Sequence, residues 1–310
     1  MVECVAALDC GSNSTRLLVV SRDAVVSQRE TRITRLSAGV DATRTLTPEA
    51  MSRSYGVLSE YRTIMDEHGV ASGLLVATSA VRDARNGEEF LAEARRRTRV
   101  DVRVLDGTEE ARYSYEGATA DLEPDRRPTA ILDIGGGSTE LAVDVGGELH
   151  SYSMQLGCVR VTERALGREI VTPEAAGAAQ AMIEAELDRA WTAEPLFASL
   201  SGDLRLIGLA GTVATLAQLD AGERTYRRAS VHHRRISRSQ VQQWRDLLGA
   251  EPPAERLARP GMAAGREDVL VAGLYVLDAV MARLGVEELL SSESDILDGV
   301  AVSLWDSRRA

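Results

Sequence analysis

The feature that most constrains this chain is a duplication inside it. Leu8 to Val20 reads LDCGSNSTRLLVV, and Leu132 to Asp144 reads LDIGGGSTELAVD. Set side by side, Leu8 matches Leu132, Asp9 matches Asp133, Gly11 matches Gly135, Ser14 matches Ser138, Thr15 matches Thr139, Leu17 matches Leu141 and Val19 matches Val143. Each copy predicts an apolar strand ending in Asp, a turn of small residues and a second β-rich strand, which together make a hairpin.

The turns carry chemical information. Glycine and serine let a backbone approach a ligand closely, and successive N–H groups in such a turn form a nest for phosphate oxygens. Gly11, Ser12, Asn13 and Ser14 in the first copy, and Gly135, Gly136, Gly137 and Ser138 in the second, are therefore candidate phosphate-binding residues. Asp9 and Asp133, at the strand ends, are candidates to hold a metal or a metal-bound water against those phosphates. Glu140 lies across the second turn from Asp133, and the equivalent position in the first copy is Arg16. This acid-for-base exchange suggests that one hairpin serves the metal and the other the phosphate. A tight hairpin and nothing more is the plainer reading of either turn alone; the recurrence, with Asp before each, favours a ligand.

Composition narrows the partners. The 310 residues suffice for one large domain or two ordinary ones, and 44% hydrophobic with 27% charged residues describes a globular chain. A net charge of -11 argues against general attraction to nucleic acid or to an anionic membrane, so an anionic substrate must be met by local groups. The apolar run from Val269 to Val286 is broken by Asp278 and Arg283, which suits a packed helix better than a bilayer span. With no signal-peptide pattern at the start, the expected location is the cytoplasm. All 36 basic residues are Arg, which excludes a Lys-dependent Walker loop and any Schiff-base mechanism. Cys4, Cys10 and Cys158 lack metal-ligand spacing and are expected to be buried thiols.

Strands are expected at Val5 to Cys10, Arg16 to Ser21 and Val25 to Leu36. A helix from Pro48 follows, with Thr47 as its N-cap and Gly69 as its stop. A strand at Leu74 to Thr78, a helix through Glu88 to Arg97, a strand at Val100 to Leu105 and a helix from Glu109 complete the first half. Leu122 to Pro128, LEPDRRP, is the expected boundary. Beyond it come a meander closed near Gly146-Gly147, a helix from Pro173, a strand at Leu204 to Leu209 and a helix from Thr212. A helix from Glu267, a strand at Glu288 to Ser291 and a helix from Ile296 end the chain. Arg224 to Arg238 is expected as a basic loop, either solvated or facing phosphate. Strands alternating with helices after an opening meander indicate mixed sheets covered by helices.

These pieces resemble the exopolyphosphatase and guanosine pentaphosphatase (Ppx/GppA) family in its short form. Besides the two hairpins, the matching segments are ATSAVRDARNGEEFL at Ala77, GTEEARYSYEG at Gly107, LGCVRVTE at Leu156, LAGTVATLA at Leu209 and SDILDG at Ser294. The resemblance implies an α/β fold of two ribonuclease-H-like, actin-like lobes with an active-site cleft between them. Residues 1–121 with about 297–310 would form the first lobe, and residues 122–296 the second. It also implies metal-assisted attack of water on a terminal phosphoanhydride of polyphosphate or guanosine pentaphosphate. By the same resemblance Glu110 is the general base, and Asp133 and Glu140, with Asp9, lie near Mg²⁺ or another divalent cation. Arg16, Arg82 and Arg266 would contact phosphate, with Gly211 and Thr212 at a helix start that suits an anion. Glu109, beside the base, is read as a helix-terminus acid. A homodimer is expected from the same source. Two alternatives share the hairpins: an actin-like ATPase or kinase, and a phosphate- or nucleotide-binding regulator without turnover.

Overall fold

A computed structural model of the chain describes residues 3–23, 25–123, 125–200 and 202–307; Pro124, in the expected boundary segment, lies outside them. The chain forms two compact units, one running up to Gly117 and resuming at Ile296, the other spanning Ala118–Asp295.

The sheet of unit 1 is built from β1 (Cys4–Cys10), β2 (Ser14–Ser21), β3 (Val26–Ile33), β4 (Val70–Ala77) and β5 (Asp101–Val104), in the order β3-β2-β1-β4-β5. The first three strands are an antiparallel meander, while β4 and β5 run parallel to β1 and to β4 respectively. Every residue of β1 is buried, because both faces of the sheet are covered. Alternation sorts its side chains: Ala6, Leu8 and Cys10 join Leu58, Tyr61 and Phe90 on one face. Val5 and Ala7 join Tyr113, Ile296, Leu297 and Val300 on the other, so the last helix, Ile296–Ser307, packs on the first unit. This near-continuous apolar run is what a strand covered on both faces requires.

The helix Pro48–Glu67 starts as its sequence demands. Thr47 Oγ1 accepts a hydrogen bond from Ala50 N at 3.2 Å, Pro occupies the first turn, and Gly69 takes φ 59 just beyond the end. A cap of this kind is worth about 1 kcal/mol, so Thr47→Ala is expected to lower unfolding stability by about that amount in urea titration.

In unit 2, β6 (Thr129–Ile134), β7 (Thr139–Val145) and β8 (Glu148–Met154) repeat the meander. They are extended by β9 (Arg205–Leu209), β11 (Glu288–Ser291) and β10 (Arg235–Ser237) in the order β10-β11-β9-β6-β7-β8. β9 is parallel to β6, β11 parallel to β9, and β10 antiparallel to β11. Both sheets thus have the mixed topology of ribonuclease-H-like lobes, with helices such as Pro173–Ala193 and Leu270–Leu284 packed into the second core.

Several elements differ from expectation. The stretch expected as a basic loop contains the helical turn Arg228–Val231 and the edge strand β10. Its charge is matched locally: Arg227 pairs with Glu223 at 2.8 Å, Arg234 with Asp220 at 2.6 Å, and Arg235 with Glu288. Charged side chains on a short edge strand discourage further strand pairing, which is a sufficient reason for this composition. The helix expected from Thr212 begins at Ala210, and Arg82 ends the helical turn Ser79–Arg82. The three cysteines are free and buried, as expected. No helix among the described residues is long and apolar enough to cross a membrane.

Candidate active site

The hairpin turns of the two units share one geometry. Gly11 N donates to Ser14 O at 3.0 Å, and Gly135 N donates to Ser138 O at 3.1 Å. The strand pairing then decides which side chains face each other: Asp9 is opposite Arg16, and Asp133 is opposite Glu140. Directly opposed residues share a sheet face with their Cβ atoms about 5 Å apart, so each pair acts as a unit.

In unit 1 that unit is an ion pair. Arg16 Nε and Nη2 both donate to Asp9 Oδ2, at 2.9 and 2.7 Å, and Asp9 is 4% exposed. Asp9 therefore holds a guanidinium through Oδ2. Ser12, Asn13 and Ser14 are buried, with Ser12 Oγ 3.0 Å from Ser79 Oγ and the Asn13 side-chain nitrogen lacking a hydrogen-bond partner.

The expected base lies in the same unit. Glu110 sits in the first turn of the helix Gly107–Thr119 and is 7% exposed. Arg82 Nη1 donates to Leu105 O at 2.7 Å and to Glu110 Oε2 at 3.3 Å, which holds the carboxylate beside a guanidinium. Glu109 is different: its Oε2 accepts from Asp106 N, while Asp106 Oδ1 accepts from Thr108 N and Glu109 N. That reciprocal arrangement is a capping box, so Glu109 starts the helix.

In unit 2 the pair is acidic. Asp133 is 8% exposed and Glu140 is 1% exposed, and Ser153 Oγ donates to Glu140 Oε1 at 2.7 Å. Two carboxylates opposed across a ladder repel unless a cation lies with them, and an oxygen-only donor set is what a hard divalent ion takes. The residues fit a hard divalent cation.

Gly211, Thr212 and Arg266 come together in this unit as well. A Cβ built on Gly211 would lie 2.0 Å from Arg266 Nη2 and 2.2 Å from its Cζ, so the guanidinium lies directly over the glycine Cα. Ala210, just before it, holds φ 62, an uncommon strain for a residue with a side chain, and such strain clusters at functional positions. Burial pushes the Cys158 thiol above its ordinary value and nearby Arg266 pulls the other way, so this segment also adjoins Arg266.

Sequence reasoning missed the support behind the second turn. Cys158 N donates to Gly135 O at 2.9 Å, and Val159 N and Arg160 N to Gly136 O at 3.0 and 3.1 Å. Arg160 Nε donates to Gly137 O at 2.7 Å. Gly157 is required by this approach, since a Cβ there would sit 2.2 Å from Gly136 O and 2.5 Å from Gly137 N. The segment LGCVRVTE carried the resemblance, but nothing in it signals that its target is a carbonyl.

One further group among the described residues could gather on a cation: Asp121, His232 and His233. His232 Nδ1 accepts from Glu293 N at 3.0 Å, and burial lowers the pKa of this ring. The neutral ring then carries its proton on Nε2, 2.9 Å from Asp121 Oδ2. A metal ligand needs the lone pair where that proton lies, so the arrangement is a hydrogen-bonded clasp.

The model of the Ppx/GppA phosphatase family matches residues 19–308. Exopolyphosphatase 2 of Mycobacterium tuberculosis is 35% identical over 321 aligned residues, covering 97% of this chain and 98% of that protein. The crystal structure of an exopolyphosphatase-like protein is 33% identical with a TM-score of 0.91, covering 99% of both chains. The Aquifex aeolicus member of the Ppx/GppA family is 28% identical with a TM-score of 0.80, covering 100% of both. A family match over nearly the whole chain, on two units that each carry the Asp-tipped hairpin, leaves one conclusion: the chain belongs to the Ppx/GppA phosphatase family.

Proposed function

We propose that the chain is an exopolyphosphatase, releasing orthophosphate from the end of inorganic polyphosphate. The observation that carries this reading is the exchange at one register position, Asp9 opposite Arg16 in one hairpin and Asp133 opposite Glu140 in the other. A guanidinium suits the anionic chain, and a carboxylate pair suits its cation. In this reading the turns Gly11–Ser14 and Gly135–Ser138 hold phosphate oxygens through backbone N–H groups. Arg16, Arg82 and Arg266 neutralise phosphate charge, and Gly211 and Thr212 present a helix start that suits an anion.

Glu110 takes a proton from the attacking water as its oxygen bonds to the terminal phosphorus. The bridging P–O bond breaks, and the chain leaves one phosphate shorter. Asp133 and Glu140 would hold Mg²⁺, which when bound offsets charge on the phosphate oxygens. The name of the Mycobacterium tuberculosis relative supports polyphosphate as the substrate. The test is orthophosphate release from long-chain polyphosphate with Mg²⁺ and no nucleotide, with guanosine pentaphosphate assayed in parallel. Release from polyphosphate without any nucleotide is the expected result; turnover that demands an organic acceptor would replace this reading with a kinase.

A further inference from the structure

We propose that Arg160 is a positioning residue that gives the second turn its polarity for phosphate, an inference that rests on the phosphohydrolase reading. A trans peptide is planar, with its C=O and N–H pointing in opposite directions. Whatever holds the carbonyl of one residue thereby aims the N–H of the next the other way. The carbonyls of Gly135, Gly136 and Gly137 are all held by the segment Cys158–Arg160, the last of them by Arg160 Nε at 2.7 Å. The N–H groups of Gly136, Gly137 and Ser138 are consequently turned away from that segment as a set, which is how a nest presents donors to an anion.

The first unit offers an internal comparison. Ser12 and Asn13 occupy the positions of Gly136 and Gly137 in the duplicated pattern. Ser12 O accepts from Ser37 N at 2.9 Å, and Asn13 O accepts from Thr34 N at 3.0 Å and Arg35 N at 2.9 Å. In both units the segment just after the third meander strand holds the carbonyls of the second and third turn residues. The difference is the donor to the third carbonyl: backbone N–H in unit 1, a buried side chain in unit 2, where Arg160 is 7% exposed. A function that unit 1 builds from backbone is exposed to substitution in unit 2.

The experiment uses the full chain with Arg160→Met, which keeps bulk and loses the donor, and Arg160→Lys, which keeps a cationic donor. The backbone ¹⁵N–¹H signal of Ser138 is followed during titration with inorganic orthophosphate, beside KM and kcat for polyphosphate. For Arg160→Met the expected result is a roughly tenfold weaker orthophosphate response and a roughly tenfold higher KM, with kcat changed far less, as loss of uniform binding predicts. Arg160→Lys is expected to recover part of the response. Unchanged orthophosphate titration in folded Arg160→Met overturns the proposal, as does a loss in both variants that simply follows their thermal stability. Orthophosphate binding is read without turnover, so wild-type protein that ignores polyphosphate yet shows the Ser138 response defeats the substrate reading and leaves this one standing.

Discussion

Glu110→Gln is expected to cut orthophosphate release from polyphosphate by about 10²- to 10⁴-fold, the usual contribution of a general base. Gln preserves the volume of a side chain that is 7% exposed, and its carbonyl oxygen can still accept from Arg82 Nη1, so the fold should tolerate it. What is lost is the ability to take a proton from water. The effect should therefore fall on kcat, with KM little changed. The measurement is phosphate release at saturating Mg²⁺ with thermal melting as the control; a variant that melts like wild type and keeps kcat within tenfold would remove Glu110 from the mechanism.

The second large effect is expected from the addition of one methyl group. Gly211→Ala places a Cβ 2.0 Å from Arg266 Nη2, where only the far end of a flexible side chain has to give way. Helix Ala210–Ala221 should form at least as well with Ala at this position, since Gly weakens helices by about 1 kcal/mol. The guanidinium, however, must leave its place. If Arg266 contacts the phosphate chain, losing a charge-assisted hydrogen bond of about 1.5–3 kcal/mol lowers kcat/KM by roughly 10- to 100-fold. The double variant Gly211→Ala, Arg266→Ala should be no worse than Arg266→Ala alone, because both changes remove one contact. Additive losses in that double-variant cycle would show that Gly211 acts separately from Arg266.

Local pattern made much of the fold legible. The Thr47-Pro48 start, the Gly69 stop and the meander closing at Gly146-Gly147 depend on residues near in sequence, and the structure places each as expected. The stretch Arg224 to Arg238 was opaque because the partners that cancel its charge, Asp220 and Glu288, lie partly far along the chain. The resemblance singled out Arg82 as a phosphate contact, but its hydrogen bond to Glu110 depends on how β4 and the helix Gly107–Thr119 pack. The same limit hid Gly157 and Arg160, whose targets are carbonyls in a turn on another strand.

By itself, the sequence determined that two Asp-tipped small-residue turns exist and that an acid at one copy stands where a base stands at the other. Turn geometry and strand alternation are local properties, written in neighbouring side chains. Only the tertiary structure decided that Arg82 reaches Glu110, that Arg160 reaches the carbonyl of Gly137, and that Arg266 lies on Gly211. Those outcomes depend on the approach of distant segments, where the addition of one Cβ changes which groups meet.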